Sequence, residues 1–177
     1  MTLENDVKSI PGTLTIDPGD NTGWAYWDNS LNPVVGSFSY DKTLKGKPLQ
    51  IQNLAAMFET MLTNEFYRKG LKIEQVVIEE VSIWEKSLTS MASAKRGDLF
   101  KLAMVIGAYI DRCGTFYLPV KLVKPNDWKG QLPDDAVARR VQQITGNEYA
   151  NPHIYSAVGI GLNEIGIFKN MGVIRGA

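Results

Sequence analysis

A short apolar run that ends on an aspartate and is followed at once by a turn constrains the fold of this chain more than any other feature. Residues 14–16 lead into Asp17, the chain turns through Pro18 and Gly19, and a second apolar run begins at Gly23. This pattern predicts a β-hairpin with a carboxylate at the end of its first strand. A buried aspartate requires a cation or several hydrogen-bond donors, whereas an aspartate that only caps the turn through its own backbone requires neither. Both interpretations fit this segment taken alone.

Hydrophobic periodicity over the rest of the chain predicts an α/β fold. The first three strands are separated by turn residues and are expected to form an antiparallel meander, and the β-branched run 73–79 is typical of a central strand covered on both faces. The order of elements predicts a mixed five-stranded sheet, three antiparallel strands and then two parallel ones, with helices on both faces. The predicted strands cover residues 13–17, 23–28, 34–39, 73–79 and 116–123, and the predicted helices cover 48–67, 90–113, 133–146 and 151 onward.

Length and composition bound the class of protein. A chain of 177 residues, 44% of them hydrophobic, is expected to form one domain with a substantial core. Lysine plus arginine equals aspartate plus glutamate at 19 each, so net charge neither favours nor disfavours nucleic acid as a partner. The single cysteine, Cys113, excludes an internal disulfide and a cysteine-rich zinc site, and it favours a reduced, cytosolic setting. The N-terminus is unlike a signal peptide, and no apolar run approaches the about 18 residues that span a bilayer, so we expect a soluble intracellular protein.

A second acid stands at the end of another predicted strand. The run 73–78 ends on Glu79, as the first strand ends on Asp17. Two acids at the ends of two strands can converge at one edge of a sheet. Glu80 points to the opposite face by strand alternation, so Glu79 is the favoured ligand and Glu80 the fallback. Taken alone, either glutamate is as readily a strand-end acid in solvent.

The start of the last helix supplies a third candidate. His153, the only histidine, stands three residues before Ser156, and residues at that spacing share one helix face. Oxygen-rich sites hold Mg²⁺ or Mn²⁺, and a nitrogen ligand shifts the preference towards Mn²⁺. In isolation, a histidine here is more often a surface residue. Small residues at 157, 159 and 161 predict close packing of this helix against the sheet, and the tail from Phe168 is expected to be peripheral.

Taken in order, these motifs resemble the RuvC-type Holliday junction resolvases of the ribonuclease H-like superfamily, particularly the phage-encoded branch. The resemblance covers residues 12–167. It is carried by Ile-Asp-Pro-Gly at 16–19 with Thr-Gly at 22–23, by Ile-Glu at 78–79, by the helix 153–162 and by Trp-Lys-Gly-Gln-Leu-Pro at 128–133. The resemblance implies a single RuvC-like domain over residues 1–177 with a ribonuclease H-like fold.

The resemblance also implies a function. It implies a metal-dependent endonuclease of DNA recombination and repair that resolves Holliday junctions and other branched DNA by phosphodiester hydrolysis. Asp17, Glu79 and His153 are the implied metal ligands and catalytic residues, with Ser156 as a further site position and two Mg²⁺ (or Mn²⁺) ions per active site. A homodimer is implied because two symmetric nicks need two sites. The expected location is the cytoplasm, that of the host if the protein is phage-encoded.

The chain departs from the family pattern at two places. The family has aspartate where this chain has Ser156, and a serine brings no charge, so one metal is expected to bind more weakly. This predicts either a naturally weakened or inactive member or an engineered inactivating substitution. The family also has a lysine near the start of the penultimate helix, where this chain has Asp134 and an adjacent aspartate. Lys124 and Lys129 are the candidates for that cation.

Basic residues near the predicted cleft are candidates for contacts with DNA phosphates, although any one of them alone is more often simply solvated. Lys101 belongs to the wider set of such cations, and the favoured contacts are Lys86, Lys95, Arg96, Lys124 and Lys129.

Two rival functions remain open at the sequence level. Ser156 favours a non-catalytic protein that binds branched DNA with the same fold. An actin-like phosphotransferase would require a second glycine-rich phosphate loop, for which 177 residues leave no room.

Overall fold

A mixed five-stranded sheet with the order β3-β2-β1-β4-β5 forms the centre of the computed structural model, which describes residues 8–28, 30–81 and 97–169. β1 pairs antiparallel with β2 and β2 with β3, whereas β1 pairs parallel with β4 and β4 with β5. The predicted α/β fold class, a mixed five-stranded sheet with three antiparallel strands and two parallel ones, is confirmed. The strands are β1 (Thr13–Asp17), β2 (Asn21–Trp27), β3 (Val34–Ser39), β4 (Gln75–Glu79) and β5 (Val120–Val123). The helices are α1 (Lys47–Met61), α2 (Asp98–Thr115), α3 (Pro125–Trp128), α4 (Asp134–Thr145) and α5 (Pro152–Ile165).

Strand alternation divides the core into two apolar layers, one on each face of the sheet. In β1, Leu14 and Ile16 pack into the layer that contains α1 and α2. Thr15 points to the other layer, where its hydroxyl donates to the carbonyl of Ala157 in α5 at 2.7 Å. Asp17 shares that face by the same two-residue period. The carboxylate at the end of β1 therefore faces α5.

Glycines let α5 lie very close to the sheet, as the small residues in this helix predict. A Cβ at Gly161 would stand 2.1 Å from the indole of Trp27, and one at Gly159 would stand 2.6 Å from the indole of Trp128. Both tryptophans are fully buried. The large rings occupy the space that side chains at these glycines would need, so the helix and the sheet interlock.

Several element bounds differ from the sequence-based ones for local reasons. α1 ends at Met61, and a π-helical turn and a 3₁₀ turn continue the chain to Gly70, which adopts φ 70°. β5 begins only at Val120, because the chain first reverses at Tyr117, whose φ is 55°. α2 begins at Asp98, and the predicted helical residues 90–96 lie outside the described part of the chain.

The expectation that the tail from Phe168 is peripheral is wrong for its first residue. Phe168 is fully buried and its ring packs against Trp128 at 5.4 Å between centroids. The short helix α3, which the sequence did not predict, brings Trp128 to that position. Across the described residues, no helix combines the length and apolar character needed to cross a membrane.

We expect Gly161→Ala to destabilise the fold by about 1–3 kcal/mol, because the added methyl group overlaps the buried indole of Trp27. The matched control is Gly114→Ala in α2, where an added Cβ meets nothing within 4 Å. That change is expected to be neutral or to stabilise the helix by up to about 1 kcal/mol. Urea denaturation of the two variants measures the difference, and equal stabilities would contradict the close packing.

Candidate active site

Two carboxylates lie side by side at the end of the neighbouring parallel strands β1 and β4. Ile16 pairs with Ile78, so the next residues, Asp17 and Glu79, stand at adjacent positions on one edge of the sheet. Both are partly buried. Strand alternation directs Glu79 to the face covered by α5 and Glu80 to the opposite face. The sequence-based preference for Glu79 over Glu80 therefore matches this geometry.

His153 reaches these carboxylates from the first turn of α5. Asn151 caps the helix by accepting a hydrogen bond from the backbone N–H of Ile154 at 3.1 Å, and Pro152 occupies the first turn. A Cβ at Gly23 would stand 2.2 Å from the carbonyl carbon of His153, so only glycine lets the helix start this close to β2. The imidazole Nδ1 lies 2.9 Å from Asp17 Oδ2. The structure thus pairs the histidine with the first carboxylate.

The electrostatics of the site favour retention of protons. Burial and the negative charge of Asp17 raise the pKa of Glu79 to about 7, against the opposing effects of Lys129 and of the Trp128 indole. That indole donates from Nε1 to Glu79 Oε2 at 2.8 Å. The hydrogen bond to Asp17 raises the pKa of His153. The two carboxylates therefore carry more negative charge than the surrounding cations offset.

Ser156 occupies the predicted position one turn after His153. It is 6% exposed, and no hydrogen bond among the described residues involves its hydroxyl. α5 therefore contributes an imidazole but no carboxylate at this edge of the sheet. Position 156 lies in α5 as predicted, but its side chain is small and uncharged.

The donor atoms suit a hard divalent cation in type but not in number. No group of three or more His, Cys, Asp or Glu side chains within the described ranges is placed to hold a metal ion. Asp17 and Glu79 nevertheless offer carboxylate oxygens, the ligands that Mg²⁺ and Mn²⁺ prefer, and a cation between them would offset the repulsion that contributes to the raised pKa of Glu79. The donor set of the pair suits a single divalent cation in its chemistry, and His153 is hydrogen-bonded to Asp17 rather than standing apart as a third ligand.

Only some of the residues predicted to contact DNA belong to the described part of the chain. Lys86, Lys95 and Arg96 lie outside the described residues. Lys124 is exposed just before α3, and Lys129 stands at the site, where its charge lowers the pKa of Glu79.

Lys129 is anchored by its neighbours. Its ammonium lies 5.3 Å from the ring centroid of Trp128 and 3.4 Å from Asp134 Oδ1. Of the two favoured lysines in the described part of the chain, Lys129 is the one whose charge acts on Glu79.

Two residues that sequence reasoning did not assign to the site take part in it. Trp128 was noted only as part of a motif, yet its indole fixes one oxygen of Glu79. Asp134 was noted as a helix-start acid, yet its charge raises the pKa of both Glu79 and His153. The motif around Trp128 was the available signal for the first. Nothing in the local sequence distinguishes Asp134 from the aspartate that follows it.

Two solved structures of RuvC from Thermus thermophilus share this fold. One, in complex with a Holliday junction substrate, matches with a TM-score of 0.63 at 17% sequence identity, over 90% of this chain and 95% of that chain. The other matches with a TM-score of 0.58 at 18% identity, over 90% of this chain and 96% of that chain. No protein-family model and no curated protein matches the sequence. At these identities the likeness establishes a RuvC-like fold.

We expect the metal-free protein to lose stability as the pH rises through the range between the ordinary pKa of glutamate, 4.5, and the value of about 7 for Glu79. In that range the folded state binds more protons than the unfolded state, so the free energy of unfolding falls with pH. Glu79→Gln removes the titrating group and should stabilise the protein at pH 8 by on the order of 2 kcal/mol.

Urea unfolding in the presence of a chelator, at pH 5 and pH 8, measures this effect. Glu80→Gln, one residue further and on the opposite face, is the control and should keep the wild-type pH dependence. If the free energy of unfolding of Glu79→Gln had the same pH dependence as that of the wild type, the pKa of Glu79 would not be the cause of that dependence, and the prediction would be contradicted.

Proposed function

We propose that this chain is a metal-dependent, structure-selective endonuclease that hydrolyses phosphodiester bonds in Holliday junctions and other branched DNA. The observation that carries the proposal is the meeting of Asp17, Glu79 and His153 at one edge of a RuvC-like sheet, with Nδ1 of the histidine 2.9 Å from Asp17. One RuvC structure with this fold contains a Holliday junction substrate, which supports branched DNA as the substrate class. Binding would be led by contacts to the DNA backbone and to its shape.

Each residue of the site has a distinct role in this proposal. Asp17 and Glu79 would hold a divalent cation, which supplies Lewis-acid activation of the phosphodiester and of the attacking water. The Trp128 indole orients Glu79 by its hydrogen bond at 2.8 Å. Lys129 adds positive charge where the DNA backbone would approach.

His153 is suited to handle a proton. When its Nδ1–H donates to the ionised Asp17, its Nε2 carries a lone pair and can accept a proton from water or ligate a cation. Its side chain is 38% exposed, so solvent and substrate reach it. The products of hydrolysis by water would carry 5′-phosphate and 3′-hydroxyl ends.

A second candidate function is binding of branched DNA without cleavage. Ser156 supports it, because the side chain that would complete the shell of a second cation brings no charge. The lack of a three-ligand group within the described ranges supports it as well. Either function uses the same fold and the same DNA surface.

The proposal extends to the organisation of the protein. We assign residues 1–177 to a single RuvC-like domain of the phage-encoded branch, acting in the cytoplasm of the host as a two-fold homodimer. An exposed apolar face of α2 supports the dimer. Phe100 is 72% exposed and Met104 is 58% exposed, and Gly107 follows one turn later on the same face. A two-fold assembly needs one such self-complementary patch.

Ser156→Asp is expected to raise the rate of junction cleavage by about tenfold or more, because it adds the missing carboxylate one turn after His153. The assay is single-turnover cleavage of four-way DNA with Mg²⁺ or Mn²⁺. The controls are Ser156→Asn, which has a similar size but no charge, and Asp17→Asn, which should bind junctions without cutting them.

The outcomes separate the two candidate functions. Cleavage by the wild type that rises in Ser156→Asp supports the nuclease. Junction binding in a gel shift with no cleavage by either protein favours the binding protein. A protein that neither binds nor cuts branched DNA contradicts both.

Met104→Glu is expected to convert the dimer to a monomer, because it places a charge in the middle of the apolar face of α2. Light scattering coupled to size-exclusion chromatography measures the mass. Tyr117→Glu is the control, since Tyr117 is 94% exposed and lies beyond the end of α2. A monomeric wild type would contradict the proposed dimer.

A further inference from the structure

We propose that Lys101 and Tyr109 of α2 are positioning residues for the candidate active site. They hold the turn between β1 and β2, residues 18–20, from the face of the sheet opposite His153. This turn, called here the Asp17 turn, directly follows the first carboxylate. The inference concerns the site of the proposed function and rests on it for its significance.

Lys101 is tied to the Asp17 turn and is not available to DNA. Its side chain is 8% exposed, and Nζ lies 2.5 Å from Asp20 Oδ1 and 2.7 Å from Gln50 Oε1. The ammonium also lies 4.4 Å from the ring centroid of Tyr40. A charge this buried is tolerated only when it is paired and hydrogen-bonded. The expectation that Lys101 contacts phosphates is therefore wrong, because its buried ammonium is already paired with the exposed carboxylate of Asp20.

Tyr109 holds the same turn through a second polar contact. Its hydroxyl lies 2.8 Å from Thr22 Oγ1, and both residues are fully buried. Thr22 in turn donates to the carbonyl of Gly19 at 3.1 Å and lies 3.3 Å from the Gly19 nitrogen. The ring of Tyr109 stacks on Phe58 at 4.4 Å, so its position is set by the core. The core of α1 and α2 is thereby connected to the backbone of the Asp17 turn.

The position of the Asp17 turn determines the positions of Asp17 and of the groups beside the His153 imidazole. A Cβ at Gly19 would stand 3.8 Å from Cε1 of His153, so the backbone of Gly19 lies beside the imidazole. Asp17, two residues earlier, is the hydrogen-bond partner of that imidazole. A displacement of the Asp17 turn would therefore alter both partners of the Asp17–His153 pair.

Packing alone does not fix the turn. A cavity of about 410 Å³ borders it, and Pro18, Gly19 and Asp20 line this cavity together with Lys101 and Leu102 of α2. The turn therefore has free space on the side of α2. The Lys101–Asp20 pair and the Tyr109–Thr22 hydrogen bond cross from α2 to the turn beside this space, and they supply the order that packing does not.

The energetics of burial separate a positioning role from a stabilising one. Replacing both partners of a buried polar contact by apolar groups of the same shape is often nearly neutral for stability. Tyr109→Phe with Thr22→Val replaces both partners of the Tyr109–Thr22 contact; it also removes the hydrogen bonds from Thr22 to the backbone of Gly19, which lines the cavity and can be hydrated there. If the contact positions the site, this double variant should fold normally and yet lose the ordered Asp17–His153 pair.

The test uses the fact that His153 is the only histidine of the chain, so its imidazole resonances are identified without ambiguity. In the full-length wild type, at one fixed pH high enough to leave the imidazole of His153 neutral, ¹⁵N NMR should report one tautomer with the proton on Nδ1, as a hydrogen bond to Asp17 requires. In Lys101→Met and in Tyr109→Phe/Thr22→Val we expect mixed tautomers. We also expect Mn²⁺ affinity, measured with the metal alone by isothermal titration calorimetry, to fall about tenfold.

Two controls keep the test specific. Thr22→Ser retains the hydroxyl and should keep the wild-type imidazole spectrum and Mn²⁺ affinity. Arg112→Met removes another α2 cation, which pairs with Glu59 at 3.4 Å and with Asp111 at 3.8 Å rather than with Asp20, and it should leave both readouts unchanged.

The results distinguish failure of this inference from failure of the proposed function. Wild-type imidazole spectra in Lys101→Met and in the double variant, with or without lower stability, would overturn the positioning role. A wild type that neither binds Mn²⁺ nor binds junction DNA would overturn the proposed function, while the imidazole spectra would still decide whether α2 positions the pair.

Discussion

The candidate site depends on the parallel pairing of β1 with β4. Their register places Asp17 and Glu79 at neighbouring positions on one face, where burial and the charge of Asp17 raise the pKa of Glu79. Three neighbouring side chains limit the cost of holding two acids together, whereas the charge of Asp134 adds to it. The imidazole of His153 pairs with one, the indole of Trp128 donates to the other, and Lys129 brings positive charge. A divalent cation would complete this compensation, which is why a site of this composition suits phosphodiester chemistry.

The helices on the two faces of the sheet contact different parts of the candidate site. On one face, α5 brings His153 to the carboxylates, and glycines at its contacts with β2 and with Trp27 allow the approach. On the other face, α2 reaches the turn after Asp17 through Lys101 and Tyr109. The exposed side of α2 carries the apolar patch that we assign to a second copy. In the proposed dimer, α2 would lie between the subunit contact and the candidate site, and assembly and site geometry would then be coupled through this helix.

Much of this could be predicted from the sequence, because the determining patterns are local. Strand alternation selects Glu79 over Glu80, Asn151 and Pro152 mark the start of α5, and an Ile-Asp-Pro-Gly segment marks the end of β1. The role of Trp128 and the burial of Phe168 could not be predicted, because both depend on α3, a single turn too short to leave a periodic pattern. The burial of Lys101 could not be predicted either. A lysine on a helix is usually solvated, and only the approach of Asp20 from a distant turn makes its burial favourable.

Gly23 carries a consequence beyond packing. Gly23 has no side chain, so the backbone of His153 packs directly on the backbone of Gly23. This contact between two backbones fixes the location of position 153. The identity of the group presented there is then free to vary without moving the helix. A scaffold of this kind can exchange imidazole for carboxylate, or carboxylate for hydroxyl one turn later, while its architecture stays the same; under the proposed function, such an exchange would convert a nuclease into a protein that only binds branched DNA.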